Sequence, residues 1–269
     1  VVDPATGRDE RADVLIDGGV VAEVGAGLKP SGAETLEASG LYVFPGFIDL
    51  HAHLREPGRE YAETIHSGLA AAAAGGFTAV CAMPNTDPVN DNGAATEFLV
   101  SRAQSATGAR LYPIGAITRG QKGQQLAEFG EMRDAGAVAV SDDGHWLADG
   151  TVLRRAFEHA SLFGMPVVQH AEDPTLSRGA PMHEGAVSTR LGLAGQPYVA
   201  EAAAVARDVL VAEIAQGRLH FAHLSTARAL EIVRRAKAKN LAVTCEVTPH
   251  HLLLTDEEVA RSTFSTRYK

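Results

Sequence analysis

The chain has 269 residues, 45% of them hydrophobic, and 24 Lys and Arg against 33 Asp and Glu give a formal net charge of −9. That supplies enough apolar material for one large α/β domain with room for a small added module. The scattered basic residues exclude a nucleic-acid surface, and no run approaches the roughly 18 to 20 apolar residues needed to span a bilayer, so no nucleic acid and no membrane are expected as partners.

In chain order, the first 42 residues read differently from the rest. Ala12 to Ile16 and Val20 to Val24 flank Asp17-Gly18-Gly19, the pattern of a hairpin turn in a small β module over 1–42. Val1 stands where an initiator Met is expected, which suggests a start inside a longer protein. No charged segment followed by an apolar core marks a secretory signal.

From residue 43 onward, β-branched runs alternate with Ala-rich stretches, as in repeated βα units on a parallel sheet. Strands are expected at 43–50, 77–83, 109–116, 136–141, 165–170, 219–224 and 241–247, and helices at 60–74, 93–106, 122–134, 151–163, 198–216 and 226–239. The Ala run to Ala74 should end at Gly75-Gly76, a helix stop and tight entry to the next strand. Seven strands fall one short of a (β/α)8 TIM-type barrel, so 43–269 is read as a barrel domain incomplete at its C-terminal end.

Two cysteines, Cys81 and Cys245, sit in apolar strand-like runs, which speaks for core packing and a reducing cytoplasm and against a disulfide framework. The chemistry lies instead with histidine. In Asp49-Leu50-His51-Ala52-His53 the two imidazoles stand at i and i+2 at a strand end, on one face, where they can serve one ion. His170 ends the fifth strand and His223 lies near the end of the sixth; a barrel brings such strand ends to one mouth. The fourth strand ends in Ser141-Asp142-Asp143-Gly144, offering a carboxylate to balance or bridge metal charge, and spacing alone does not choose between Asp142 and Asp143. His250 and His251 read as a loop pair outside the metal set, His183 and Glu184 as solvated, and Trp146 as either a loop anchor or a lid contact.

These residues resemble a known family. Pro45 to Gly58 (PGFIDLHAHLREPG), Met83-Pro84-Asn85-Thr86, Ser141 to Gly144, Gln169-His170-Ala171-Glu172 and Val247 to His251 are similar, in order, to the motifs of class I dihydroorotase, a metal-dependent amidohydrolase of pyrimidine biosynthesis. The resemblance implies an amidohydrolase barrel with a small β module built from both chain ends, and one or two Zn2+ held by His51, His53, Asp143, His170 and His223. It also implies that His53, Arg55 and Asn85 bind substrate, the last two through a carboxylate, and that zinc-activated water opens or closes the cyclic amide of dihydroorotate and carbamoyl-aspartate. Many relatives bridge their metals with a carboxylated lysine; no lysine occurs in Ala137 to Ser141, which favours Asp143. The family's catalytic Asp follows the eighth strand and has no counterpart in this sequence, leaving the catalytic group unknown. A homodimer or a complex with aspartate transcarbamoylase is implied by the family alone. The rival readings are a hydantoinase or allantoinase, and a non-catalytic dihydroorotase-like partner of transcarbamoylase.

Overall fold

The structure is a computed structural model that describes residues 1–262. The chain divides into two compact units, Val1–Phe47 and a second beginning at Ile48. In the first, β1 (Val2–Asp3) pairs antiparallel with β2 (Arg8–Asp9), and β3 (Asp13–Asp17) with β4 (Val20–Gly25). Gly18 and Gly19 join the second pair with φ of 57° and 81°. Both central residues of such a two-residue turn need positive φ, which is why the Gly pair marks it in the sequence.

The second unit carries β5 (Phe47–Ala52), β6 (Phe77–Ala82), β7 (Arg110–Gly115), β8 (Ala139–Ser141), β9 (Val167–Gln169), the short β10 (Met182–His183) and β11 (Gly195–Gln196), β12 (Leu219–Phe221) and β13 (Val243–Cys245). Seven of them form one sheet in the order β13-β12-β9-β8-β7-β6-β5, while β10 and β11 make a separate two-stranded sheet among the described residues. From β6 to β13 every neighbour in the large sheet runs parallel. All seven expected strands are present. The first starts later than expected, after Pro45-Gly46, and extends through His51 to Ala52. Proline has no N–H to give a ladder and glycine favours irregular backbone, so the pair delays strand entry.

The helices are α1 (Ile65–Ala74), α2 (Gly93–Gln104), α3 (Phe129–Asp134), α4 (Gly150–Leu162), α5 (Pro174–Ser177), α6 (Ala186–Leu191), α7 (Val199–Ala215), α8 (Ala227–Ala238), α9 (Pro249–Leu253) and α10 (Glu257–Arg261). The helix expected over 60–74 begins at Ile65, because Thr64 caps it by accepting from the Ser67 N–H. It ends at Gly75, and Gly76 then takes φ of 84° to turn into β6. The expected helix 122–134 shrinks to Phe129–Asp134. Arg119 N–H donates to the Gln125 carbonyl and Ala127 N–H to that of Ile117, so 119–127 folds as a loop closed on itself, with one 3₁₀ turn at Arg119–Gln121. The four short helices after β9 and β13 were not foreseen; each is six residues or fewer, below the length at which helical periodicity is readable.

Side chains separate by strand face. Phe157, Phe129, Phe221, Leu153 and Val167 belong to the large buried cluster that the helices share with the sheet. Cys81, Met83, Ile114, Ala139, Val168 and Ala222 form a second cluster on the opposite face. Burial, with Asp49 and Glu246 nearby, pushes the Cys81 thiol up to about 11, so it is an inert packing group.

Gly108 marks a tight approach of backbone to backbone. Its φ is 133°, and a Cβ there would stand 2.4 Å from the Leu69 carbonyl oxygen, beside the Ala109 N–H to Leu69 hydrogen bond. Gly108→Ala should therefore lower unfolding free energy by about 1–3 kcal/mol or more in denaturant titration. Gly150→Ala, at a helical position with nothing within 4 Å of the new Cβ, should leave it unchanged or raise it by about 0.4–1 kcal/mol.

Candidate metal centre

Five side chains from four strand ends meet at one point. His51 lies in the last two residues of β5 and His53 just beyond it on the same face; Asp143, His170 and His223 each lie one or two residues beyond β8, β9 and β12. Parallel strands place all of these at the same end of the sheet, so residues up to 172 positions apart in sequence converge. Two groups of donor atoms result, His51, His53, Asp143 and Asp143, His170, His223, each with its atoms within 4.8 Å of one another. Asp143 belongs to both.

The two oxygens of Asp143 face different ways. Oδ2 lies 3.3 Å from His51 Nε2 and 3.4 Å from His53 Nε2, while Oδ1 lies 3.4 Å from His223 Nε2 and 3.5 Å from His170 Nδ1. Within each group the imidazole nitrogens are 3.2 Å apart (His51 and His53) and 3.0 Å apart (His170 and His223). Donors about 2.0–2.2 Å from a tetrahedral divalent ion stand roughly 3.3–3.6 Å from one another, close to this spacing. Asp143 Oδ1 is moreover buried with no hydrogen-bond partner among the described residues. A buried acceptor left this way costs about 1–3 kcal/mol unless something positive meets it. The donor set thus fits a metal ion in each group, with Asp143 shared between them.

Protonation follows the same demand for positive charge. Burial works against a charged His51, but hydrogen bonds to Asp143 and Glu246 outweigh it and raise its pKa to about 9. Burial lowers the pKa of His53 against the pull of Asn85 and Asp143, and the neighbouring His51 and Arg55 add to the lowering. Burial likewise opposes ionisation of Asp143, yet the His170, His223 and His51 imidazoles hold its carboxyl far below the usual carboxylate range. In the metal-free chain a proton on His51 therefore supplies the cation that Asp143 requires. A divalent ion must displace it, so affinity falls as pH falls.

Neighbouring residues fix the donors. Asp142 is turned away: its carboxylate accepts from the Ile117 and Thr118 N–H groups at 2.9 and 3.0 Å and from the Thr118 hydroxyl. This separates the two aspartates that spacing could not. Asn85 Oδ1 accepts from His53 Nδ1 at 2.8 Å, so Asn85 orients a donor of the centre while its amide Nδ2 has no hydrogen-bond partner among the described residues. Arg55 has φ of 63° and no side-chain partner among the described residues. Its position is imposed by the next residue, buried Glu56, which accepts from Ile65 N–H at 2.8 Å and Arg102 Nε at 2.7 Å. His223 has φ of 36°, and the turn after it is held by buried Glu201, which accepts from the N–H and hydroxyl groups of both Ser225 and Thr226.

Other candidates fall elsewhere. Trp146 is a loop anchor: its Nε1 donates to Asp208 at 3.2 Å and the Arg207 guanidinium stacks 3.9 Å from its ring centre. His183 and Glu184 are exposed. His250 and His251 join no donor group among the described residues, and His251 Nδ1 sits 2.8 Å from the Thr248 hydroxyl. Sequence reading missed Glu246, whose Oε1 lies 2.9 Å from His51 Nδ1, and His220, whose Nε2 lies 3.1 Å from Glu246 Oε2. Their alternation with core residues Cys245 and Phe221 was the available signal.

A family model described as "Dihydro-orotase-like" matches residues 40–229. The chain belongs to this family. It is 53% identical over 259 residues to a protein named dihydroorotase from Syntrophotalea carbinolica, covering 96% of this chain and 61% of that one. It is 53% identical over 270 residues to another from Anaeromyxobacter sp. (strain K), covering 100% and 62%. The chain thus spans about 61% of the length of the curated relatives it matches. Among solved structures it is similar to L-hydantoinase from Arthrobacter aurescens, with a TM-score of 0.75 at 25% identity, covering 93% of this chain and 57% of that one. A D-hydantoinase structure gives 0.75 at 26% identity, covering 94% and 57%. Within this family the seven-stranded sheet is the amidohydrolase barrel fold that the βα alternation implied.

In the metal-free protein, an NMR titration should find His51 changing charge near pH 9 and His53 below the ordinary histidine range. Asp143→Asn should bring the His51 midpoint down, because it removes the negative charge that outweighs burial.

Proposed function

We propose that the protein is a dihydroorotase, interconverting N-carbamoyl-L-aspartate and dihydroorotate in cytoplasmic pyrimidine biosynthesis, with one or two zinc ions held by His51, His53, Asp143, His170 and His223. The observation that carries this reading is the shared, buried Asp143 with its orphaned oxygen between two imidazole pairs. Two imidazoles and a carboxylate are the donor chemistry of catalytic zinc. Relatives at 53% identity named dihydroorotase support the choice of reaction. The same reading takes 1–42 as part of a small β module and 43–269 as the barrel, and admits a homodimer or a complex with aspartate transcarbamoylase.

When bound, the metal supplies a water that is nucleophilic near neutral pH and polarises the amide carbonyl. The chain's own residues do the rest. Arg55 is a half-buried guanidinium with no hydrogen-bond or ion-pair partner among the described residues, held by an αL backbone beside His53. It offers a planar fork of donors to the substrate carboxylate. The free Nδ2 of Asn85 donates alongside it. Together they fix the ring against the centre, so that orientational entropy is lost on binding rather than in the chemical step.

A hydantoinase-type amidase is the second reading, favoured by the likeness to solved hydantoinases. The two differ at Arg55, since an unsubstituted hydantoin ring has no carboxylate for a guanidinium to bind. Turnover of dihydroorotate measured beside hydantoin and allantoin should favour dihydroorotate, and faster hydantoin hydrolysis would overturn the assignment.

The double variant His51→Ala, His53→Ala should lose tightly held metal by elemental analysis; full occupancy there removes the basis of the metal site. Arg55→Ala should keep its metal and raise KM for dihydroorotate by roughly 10- to 100-fold, the loss of a charge-assisted contact of about 1.5–3 kcal/mol.

A further inference from the structure

A line of polar side chains runs along the inner face of β12 and β13 toward His51, and none of them belongs to the donor set. The parallel register sets His220 beside Thr244. The Thr244 hydroxyl is 2.8 Å from His220 Nδ1, His220 Nε2 is 3.1 Å from Glu246 Oε2, and Glu246 Oε1 is 2.9 Å from His51 Nδ1. The other His51 nitrogen, Nε2, is the one that faces Asp143 and His53.

With His220 neutral and the second proton of His51 displaced by a metal ion, donor and acceptor roles along this line have one consistent assignment. A carboxylate can only accept, so His51 must carry hydrogen on Nδ1 and His220 on Nε2. That leaves His220 Nδ1 to accept from the Thr244 hydroxyl. Both oxygens of Glu246 are then engaged, and the carboxylate cannot rotate without losing one imidazole. We infer that Glu246, anchored by His220 and Thr244, is a positioning residue that fixes the tautomer and ring orientation of His51, so that Nε2 is the nitrogen presented to the metal. His53 is held in the same sense by the neutral amide of Asn85. The two ligands therefore differ in basicity: the carboxylate behind His51 makes it the stronger electron donor.

The inference rests on the metal-centre reading given above. The test uses the full chain, its metal-free form titrated with zinc against a chromophoric chelator, and cobalt(II) as a spectroscopic probe. In Glu246→Gln only one of the two imidazoles keeps an acceptor, so His51 either loses its Nδ1–H partner and tautomer or keeps a neutral amide in place of the carboxylate; in both cases its Nε2 becomes a weaker donor. Zinc affinity should fall by about 10- to 100-fold, with an altered cobalt visible spectrum. Thr244→Val, which removes only the distal anchor, should shift both readouts in the same direction by less. It decides the question if Glu246→Gln does not fold. Unchanged affinity and spectrum in the folded variants, even with lowered stability, would make Glu246 a structural ion pair and overturn the inference. Failure of the wild-type chain itself to bind zinc would instead overturn the metal-centre reading, and this inference with it.

Discussion

The structure is organised around a carboxylate that cannot be left alone. Asp143 is 4% exposed, and an unpaired charge at such a position costs several kcal/mol. Four imidazoles surround it, yet imidazoles are positive only when protonated, and crowding several cations together is itself unfavourable. A divalent ion resolves the conflict better than protons do, because it concentrates charge where the lone pairs already point. The parallel sheet makes this arrangement cheap to build. Each of four strands contributes one or two side chains at its end.

Two of the positive-φ residues that are not glycine lie at this end. Arg55 and His223 both adopt positive φ without being glycine, a conformation costing of order 1–3 kcal/mol each. Each is braced by a buried glutamate whose two oxygens both accept hydrogen bonds: Glu56, the residue after Arg55, between α1 and Arg102, and Glu201, on α7, under the turn into α8. These carboxylates hold the unfavourable backbone in place. The loop after β8 is braced comparably, by Asp142 on one side and by Trp146 with Arg207 and Asp208 on the other.

Much of this was legible in the sequence because its signals are local. Strand runs bounded by glycine, the Gly18-Gly19 turn, and paired histidines at i and i+2 each declare themselves within a few residues. The helix expected over 122–134 failed because its first half is shaped by hydrogen bonds to residues 117 and 119, which no periodicity encodes. The choice between Asp142 and Asp143 likewise depended on Thr118, more than 20 positions away. Glu246 went unnoticed for a related reason: one acidic residue in a strand looks like surface until its neighbour across the sheet is known. Arg55 and Asn85 were put forward through resemblance alone, and only the coordinates revealed that Asn85 serves His53.

That contact fixes which way the Asn85 amide faces. Its carbonyl oxygen accepts from the His53 ring, and flipping the amide would set an N–H against an N–H there. A histidine whose first task lies elsewhere thereby gives the neighbouring amide its polarity.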